Sequence, residues 1–115
     1  MCSSDLAIIA VAPHLGIGSP TIGWVATAFA AMAELQDPET APAIRTPILI
    51  AAGAHDRITS TPMAEKFASR MPNSRFLKLD GAEHEILLEQ NHLRAKFWAA
   101  FDQFSAEPEI GRAHV

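Results

Sequence analysis

The chain has 115 residues, 49% of them apolar, a length that one domain and one packed core account for. Thirteen acidic residues against nine scattered basic ones leave a net charge of −4, and without a basic run or face the composition argues against a nucleic-acid partner. The longest apolar stretches, Ala7–Pro13 and Val25–Ala33, fall short of a bilayer span, so no transmembrane segment is expected; a lone cysteine cannot close an internal disulfide.

The two ends stand apart from the rest. "MCSSDL" and "EIGRAHV" both read as in-frame translations of sequencing-adapter DNA, so residues 1–5 and 109–115 are set aside from fold reasoning. On that reading Cys2 is not a natural residue. The chain is then expected to be a piece of a longer gene, open at both ends, whose partner in folding is the missing N-terminal half of the same protein.

Between the ends, "LAIIAVAP" is an apolar segment running into a Gly/Pro-rich loop, "HLGIGSPTIG". The alanine-rich "WVATAFAAMAEL" predicts an amphipathic helix, with Val25, Phe29 and Met32 at spacings of three and four. Asp37-Pro38 ends it, and Pro38–Pro42 reads as a linker. "ILIAAG" at 48–53 is apolar on both faces, which suits a buried strand of a parallel sheet. Thr61-Pro62 reads as a helix N-cap followed by proline, opening a helix over about Met63–Met71. Pro72-Asn73-Ser74 is a turn, and "RFLKLDG" is a second strand with alternating faces. A last helix begins near Leu87 or Asn91 and runs to Phe104, with Leu93, Phe97, Phe101 and Phe104 on one side. The fold class is therefore α/β: one βαβ unit on a parallel sheet, plus a closing helix.

In open α/β sheets, chemistry gathers beyond the carboxyl ends of the strands. The two loops there carry Asp56 in "AHDRITST" and His84 in "AEHEI". A carboxylate on one ring nitrogen fixes the tautomer of a histidine and stabilises the imidazolium formed when the other nitrogen takes a proton. Simpler readings compete. Asp56 could be a turn-forming aspartate and His84 a loop histidine without a role. A metal site drawing on His55, Asp56, His84, Glu85 or His92 lacks any H-x-x-x-H or H-E-x-x-H spacing, so no metal and no cofactor is expected. Glu85 is a further possibility for orienting His84.

"TPILIAAGAHDRIT" and "FLKLDGAEHEILLE" together resemble the C-terminal part of the α/β-hydrolase fold, whose triad runs Ser, Asp, His. "GAEHEILLE" is similar to the lysophospholipase and monoacylglycerol-lipase (serine aminopeptidase-like) branch. The resemblance spans about Gly16 to Phe104. It implies that residues 6–42 are the end of a helical cap plus linker and that residues 43–108 are the C-terminal hydrolase segment. It also implies Asp56 as triad acid, His84 as catalytic base, and Trp24, Val25 and Phe29 as wall of an acyl-chain pocket. The implied activity is hydrolysis of a lipid-like carboxylic ester, a lysophospholipid or monoacylglycerol. No G-x-S-x-G elbow occurs in the sequence, so the nucleophile is not among these residues and the chain alone is expected to be inactive. Two alternatives stay open: another branch of the fold (peptidase, epoxide hydrolase, dehalogenase), or a non-enzymatic α/β binding module.

Overall fold

"ILIAAG" and "SRFLKL" pair side by side in a computed structural model that describes residues 3–107; Cys2 and the 109–115 tail lie outside it. The elements in order are α1 (Ser3–Val11), a 3-10 turn (Pro13–Leu15), α2 (Ile22–Gln36), α3 (Thr40–Ala43), β1 (Ile48–Gly53), α4 (Thr61–Ala68), β2 (Ser74–Leu79), a second 3-10 turn (Ile86–Leu88) and α5 (Asn91–Ser105). The chain divides after Gln36 into two units.

In the first unit, the segment from Leu6 is helical up to Val11. The alanine-rich run forms α2, as its composition and spacing predict. Thr21 caps it, its hydroxyl oxygen accepting from the Trp24 amide at 3.1 Å. None of its residues is buried; Trp24 and Phe29 are 63% and 65% exposed. An open, mostly apolar groove in this unit is lined by Ile8, Ile9, Leu15, Ile17 and Pro20. No helix among the described residues is long and apolar enough to cross a membrane.

In the second unit, β1 and β2 run parallel in a register that pairs Ile48 with Ser74 and Gly53 with Leu79. Six consecutive pairs bring both strands to their carboxyl ends at the same level. The side-chain alternation separates two cores. Ile48, Ile50 and Phe76 pack with Ala41, Ala68 and Met71. Leu77 and Leu79 pack with Ala82, Leu93 and Phe97. Thus α4 and α5 each cover sheet residues of opposite parity, as the period of two requires. Leu79 and Leu93 are almost fully buried, while Phe101 stays 43% exposed, its ring stacked on Phe97 and edge-on to Trp98.

Three local expectations need correction. The linker at Pro38–Pro42 contains a helical turn, because Ala41 is fully buried in the first of these cores and draws the chain onto it. The cap of α4 is Ser60, whose hydroxyl oxygen accepts from the Met63 amide at 3.4 Å. Thr61 instead turns inward and donates its hydroxyl to the Gly53 carbonyl at 2.7 Å, which ties α4 to the end of β1. Finally, α4 ends at Ala68 and not at Met71. The Ser74 hydroxyl takes the Ala68 carbonyl at 2.6 Å and the chain turns there to reach β2.

Candidate active site

Because β1 and β2 end level, the loops that follow them face each other. Asp56 lies three residues past Gly53 and His84 five past Leu79, and their side chains meet: Nδ1 of His84 is 2.8 Å from Oδ2 of Asp56. The Asp56 side chain is 4% exposed and that of His84 37%. The carboxylate is enclosed and the imidazole keeps one edge open.

Asp56 is held by more than its partner. Its Oδ1 accepts from the backbone amides of Ile58 at 2.7 Å and Thr59 at 2.9 Å, an Asx-type turn. Its Oδ2 accepts from the Thr59 hydroxyl at 2.6 Å in addition to His84. The turn-forming reading and the acid reading of Asp56 thus describe one arrangement, since the turn amides fix the carboxylate that meets the histidine.

The base loop is fastened by backbone contacts. Gly81, at φ +85°, turns the chain after β2 in the left-handed region that side chains avoid. The His55 amide donates to the Ala82 carbonyl at 2.9 Å, and the Ala54 amide to the Leu79 carbonyl at 3.0 Å, joining the acid loop to the base loop. Gly53 makes the approach possible. A Cβ there would sit 2.1 Å from the Glu83 carbonyl oxygen and 2.5 Å from that of Ala82. On the far side, a Glu89 carboxylate oxygen accepts from the Glu83 amide at 2.6 Å, bracing the residue before His84.

These contacts set the protonation of the pair. Burial alone would raise the Asp56 carboxyl, but the hydrogen bonds from Thr59, His84 and Ile58 outweigh it and hold the group far below the usual carboxylate range. The hydrogen bond to Asp56 raises His84 above its ordinary value against the opposing effect of desolvation, with further help from the charges of Asp56 and Glu85. The signs define a window. The His84 contribution to folding is complete below its unfolded value of 6.5 and fades as pH rises through the raised folded value. The Asp56 contribution is complete above its unfolded value of 3.8 and fades as pH falls through the depressed one. The pair therefore stabilises the fold most between those two values. NMR titration of the His84 ring should place its midpoint above 6.5, and Asp56→Asn should bring it down; a midpoint at or below 6.5 in the unaltered chain would contradict the geometry.

The family described as "Serine aminopeptidase, S33" matches residues 3–91. The chain belongs to this family of α/β-hydrolases. It is also similar to a protein of Haemophilus influenzae named probable lysophospholipase L2, at 30% identity over 92 residues. That match covers 80% of this chain and 29% of the relative, so the chain spans under a third of the relative's length. No solved structure matches.

Of the residues singled out from sequence, the structure brings Asp56 and His84 together. Trp24, Val25 and Phe29 lie on α2 in the other unit and are not among the residues lining its groove. Glu85 acts on His84 through charge, whereas the glutamate that braces the loop is Glu89. Among the described residues no group of three or more His, Cys, Asp or Glu could hold a metal ion. Thr59, Gly53 and Glu89 were not visible as site residues. An Asp followed at the third position by Thr is a known turn pattern and could have flagged Thr59. Glu89 reaches Glu83 only because a 3-10 turn at Ile86–Leu88 folds it back.

Proposed function

We propose that Asp56 and His84 are the acid and base of a Ser-His-Asp triad in a hydrolase of lipid-like carboxylic esters, the serine being supplied by a part of the protein outside this chain. The single observation that carries the reading is the 2.8 Å contact between His84 Nδ1 and the enclosed Asp56 carboxylate, at the carboxyl ends of adjacent parallel strands. Ionised Asp56 accepts a hydrogen bond from Nδ1–H, which fixes that tautomer and leaves Nε2 as the basic nitrogen. Nε2 removes the proton of the serine hydroxyl as it attacks the ester carbonyl, and Asp56 stabilises the imidazolium that results. His84 then protonates the departing alcohol. In the second half Nε2 takes a proton from water as that water attacks the acyl carbonyl, and gives it to the serine oxygen as the acyl–oxygen bond breaks, releasing the acid and restoring the serine.

The choice of an ester of lipid type draws support from the name of the Haemophilus influenzae relative and from the exposed apolar residues of α2. Trp24, Val25 and Phe29 are proposed to line an acyl-chain pocket. The family's own description favours a second reading, cleavage of an amino-terminal peptide bond with the same triad.

The whole protein, with its upstream coding sequence restored, distinguishes them. Incubated with a lysophospholipid, a monoacylglycerol and an aminoacyl anilide, it should release fatty acid from the first two, leave the anilide intact, and be labelled covalently by a fluorophosphonate. Cleavage of the anilide alone would replace the esterase reading by the aminopeptidase one. Absence of labelling would remove the serine mechanism altogether.

A further inference from the structure

Asp56 has four donors for the four acceptor positions of a carboxylate: two turn amides on Oδ1, and the Thr59 hydroxyl and His84 ring on Oδ2. The two donors on Oδ2 share one oxygen. Thr59 Oγ1 stands at 2.6 Å, closer than His84 Nδ1 at 2.8 Å. The same residue also holds Oδ1 through its backbone amide, so Thr59 grips both oxygens and blocks rotation of the carboxylate. Its β-branch limits χ1, which favours keeping the hydroxyl on Oδ2.

We infer that Thr59 is a positioning residue that orients the Asp56 carboxylate and, by sharing Oδ2, limits how strongly that carboxylate holds the ring proton of His84. A hydroxyl donor withdraws charge from the oxygen it meets and makes it a weaker acceptor toward the imidazolium. The charges of Asp56 and Glu85 favour the protonated ring, and desolvation opposes them. A stronger hold on the ring proton would keep His84 protonated to higher pH and narrow the range in which it serves as a base. Thr59 offsets that. The inference rests on the triad reading for its catalytic meaning, and on the geometry alone for its effect on His84.

The test uses Thr59→Val, which removes the hydroxyl and keeps the backbone amide on Oδ1, with Thr59→Ser as the conservative rescue. Thr59 is exposed and belongs to no helix or strand, so both variants are compatible with the fold. NMR titration of the His84 ring in the full 115-residue chain is expected to move upward by about half to one pH unit in Thr59→Val and to return in Thr59→Ser, since one unit corresponds to about the net strength of one hydrogen bond. An unchanged or lowered midpoint, or a Thr59→Ser variant that behaves as Thr59→Val, would overturn the inference. If Thr59→Val perturbs the fold, Thr59→Ala supplies the same contrast by the same titration. In the whole protein the acid limb of the kcat/KM profile should move upward with the midpoint. If the titration moves as expected and no ester is turned over, the proposed function falls and the role of Thr59 in the pair stands.

Discussion

Replacing His84 by alanine is expected to lower kcat/KM for ester hydrolysis by about 10⁴- to 10⁶-fold in the whole protein, with folding intact. The side chain is 37% exposed and its Nδ1 meets one protein partner, so its loss leaves little unfilled space in the core. On the proposed triad reading, the chemistry loses the group that carries the serine proton. Asp56→Asn should cost about 10⁴-fold by a different route. An asparagine can present its amide donor to Nδ1, which would reverse the tautomer and put a proton on the nitrogen that has to accept one. The two changes should not add when combined, since both disable one relay. Steady-state assays of the single and double variants check this. A His84→Ala enzyme within tenfold of the parent would exclude His84 as the base.

Gly53→Ala is expected to weaken the fold by about 3 kcal/mol and to reduce turnover by about 100-fold or more beyond any loss of folded protein. The added Cβ would meet the Glu83 and Ala82 carbonyl oxygens at 2.1 and 2.5 Å. Both are backbone atoms, so no rotamer change relieves the contact, and the base loop as a whole has to retreat by at least about 1.3 Å to bring 2.1 Å out to ordinary packing distance, 3.4 Å. That motion stretches the His55 to Ala82 hydrogen bond, 2.9 Å long, and draws His84 away from a carboxylate that the acid loop keeps in place. Beyond about 3.5 Å the pair no longer forms a hydrogen bond. Denaturant unfolding gives the first quantity, and kcat measured on fully folded enzyme gives the second. A variant of unchanged stability with a normal His84 titration would show that the loop accommodates the methyl and that Gly53 has no positioning role.

Much of this site was legible along the chain because its cues are local. A continuous apolar run ending in Gly53 marked β1 to the residue, and the alternation of Phe76 against Leu77 and Leu79 assigned each to the correct face of β2. Proline after Thr61 places the start of α4 within one residue, and α5 starts at Asn91, one of the two positions its sequence allows. Parallel pairing of the strands then carried Asp56 and His84 to one edge, as a βαβ unit demands. Residue pattern alone thus determined the fold class, the order β1, α4, β2, α5 and the two ionisable residues that meet.

The tertiary structure decided what depends on distance between segments remote in sequence. Whether Ser60 or Thr61 caps α4 turns on the Gly53 carbonyl, which stands within reach of the Thr61 hydroxyl only when β1 is in place. Ala41 reads as linker until α4 and the turn after it supply Ala68 and Met71 to bury it. The close approach that makes Gly53 necessary, the Glu89 brace and the sharing of Oδ2 by Thr59 and His84 all arise where separate loops converge. Periodicity reports which face a side chain takes relative to its own element, and it carries no information about a neighbour's position. Strand register, set by all six pairs together, provides that position, and only with it do the loose acid and the loose base of the sequence become one hydrogen-bonded pair.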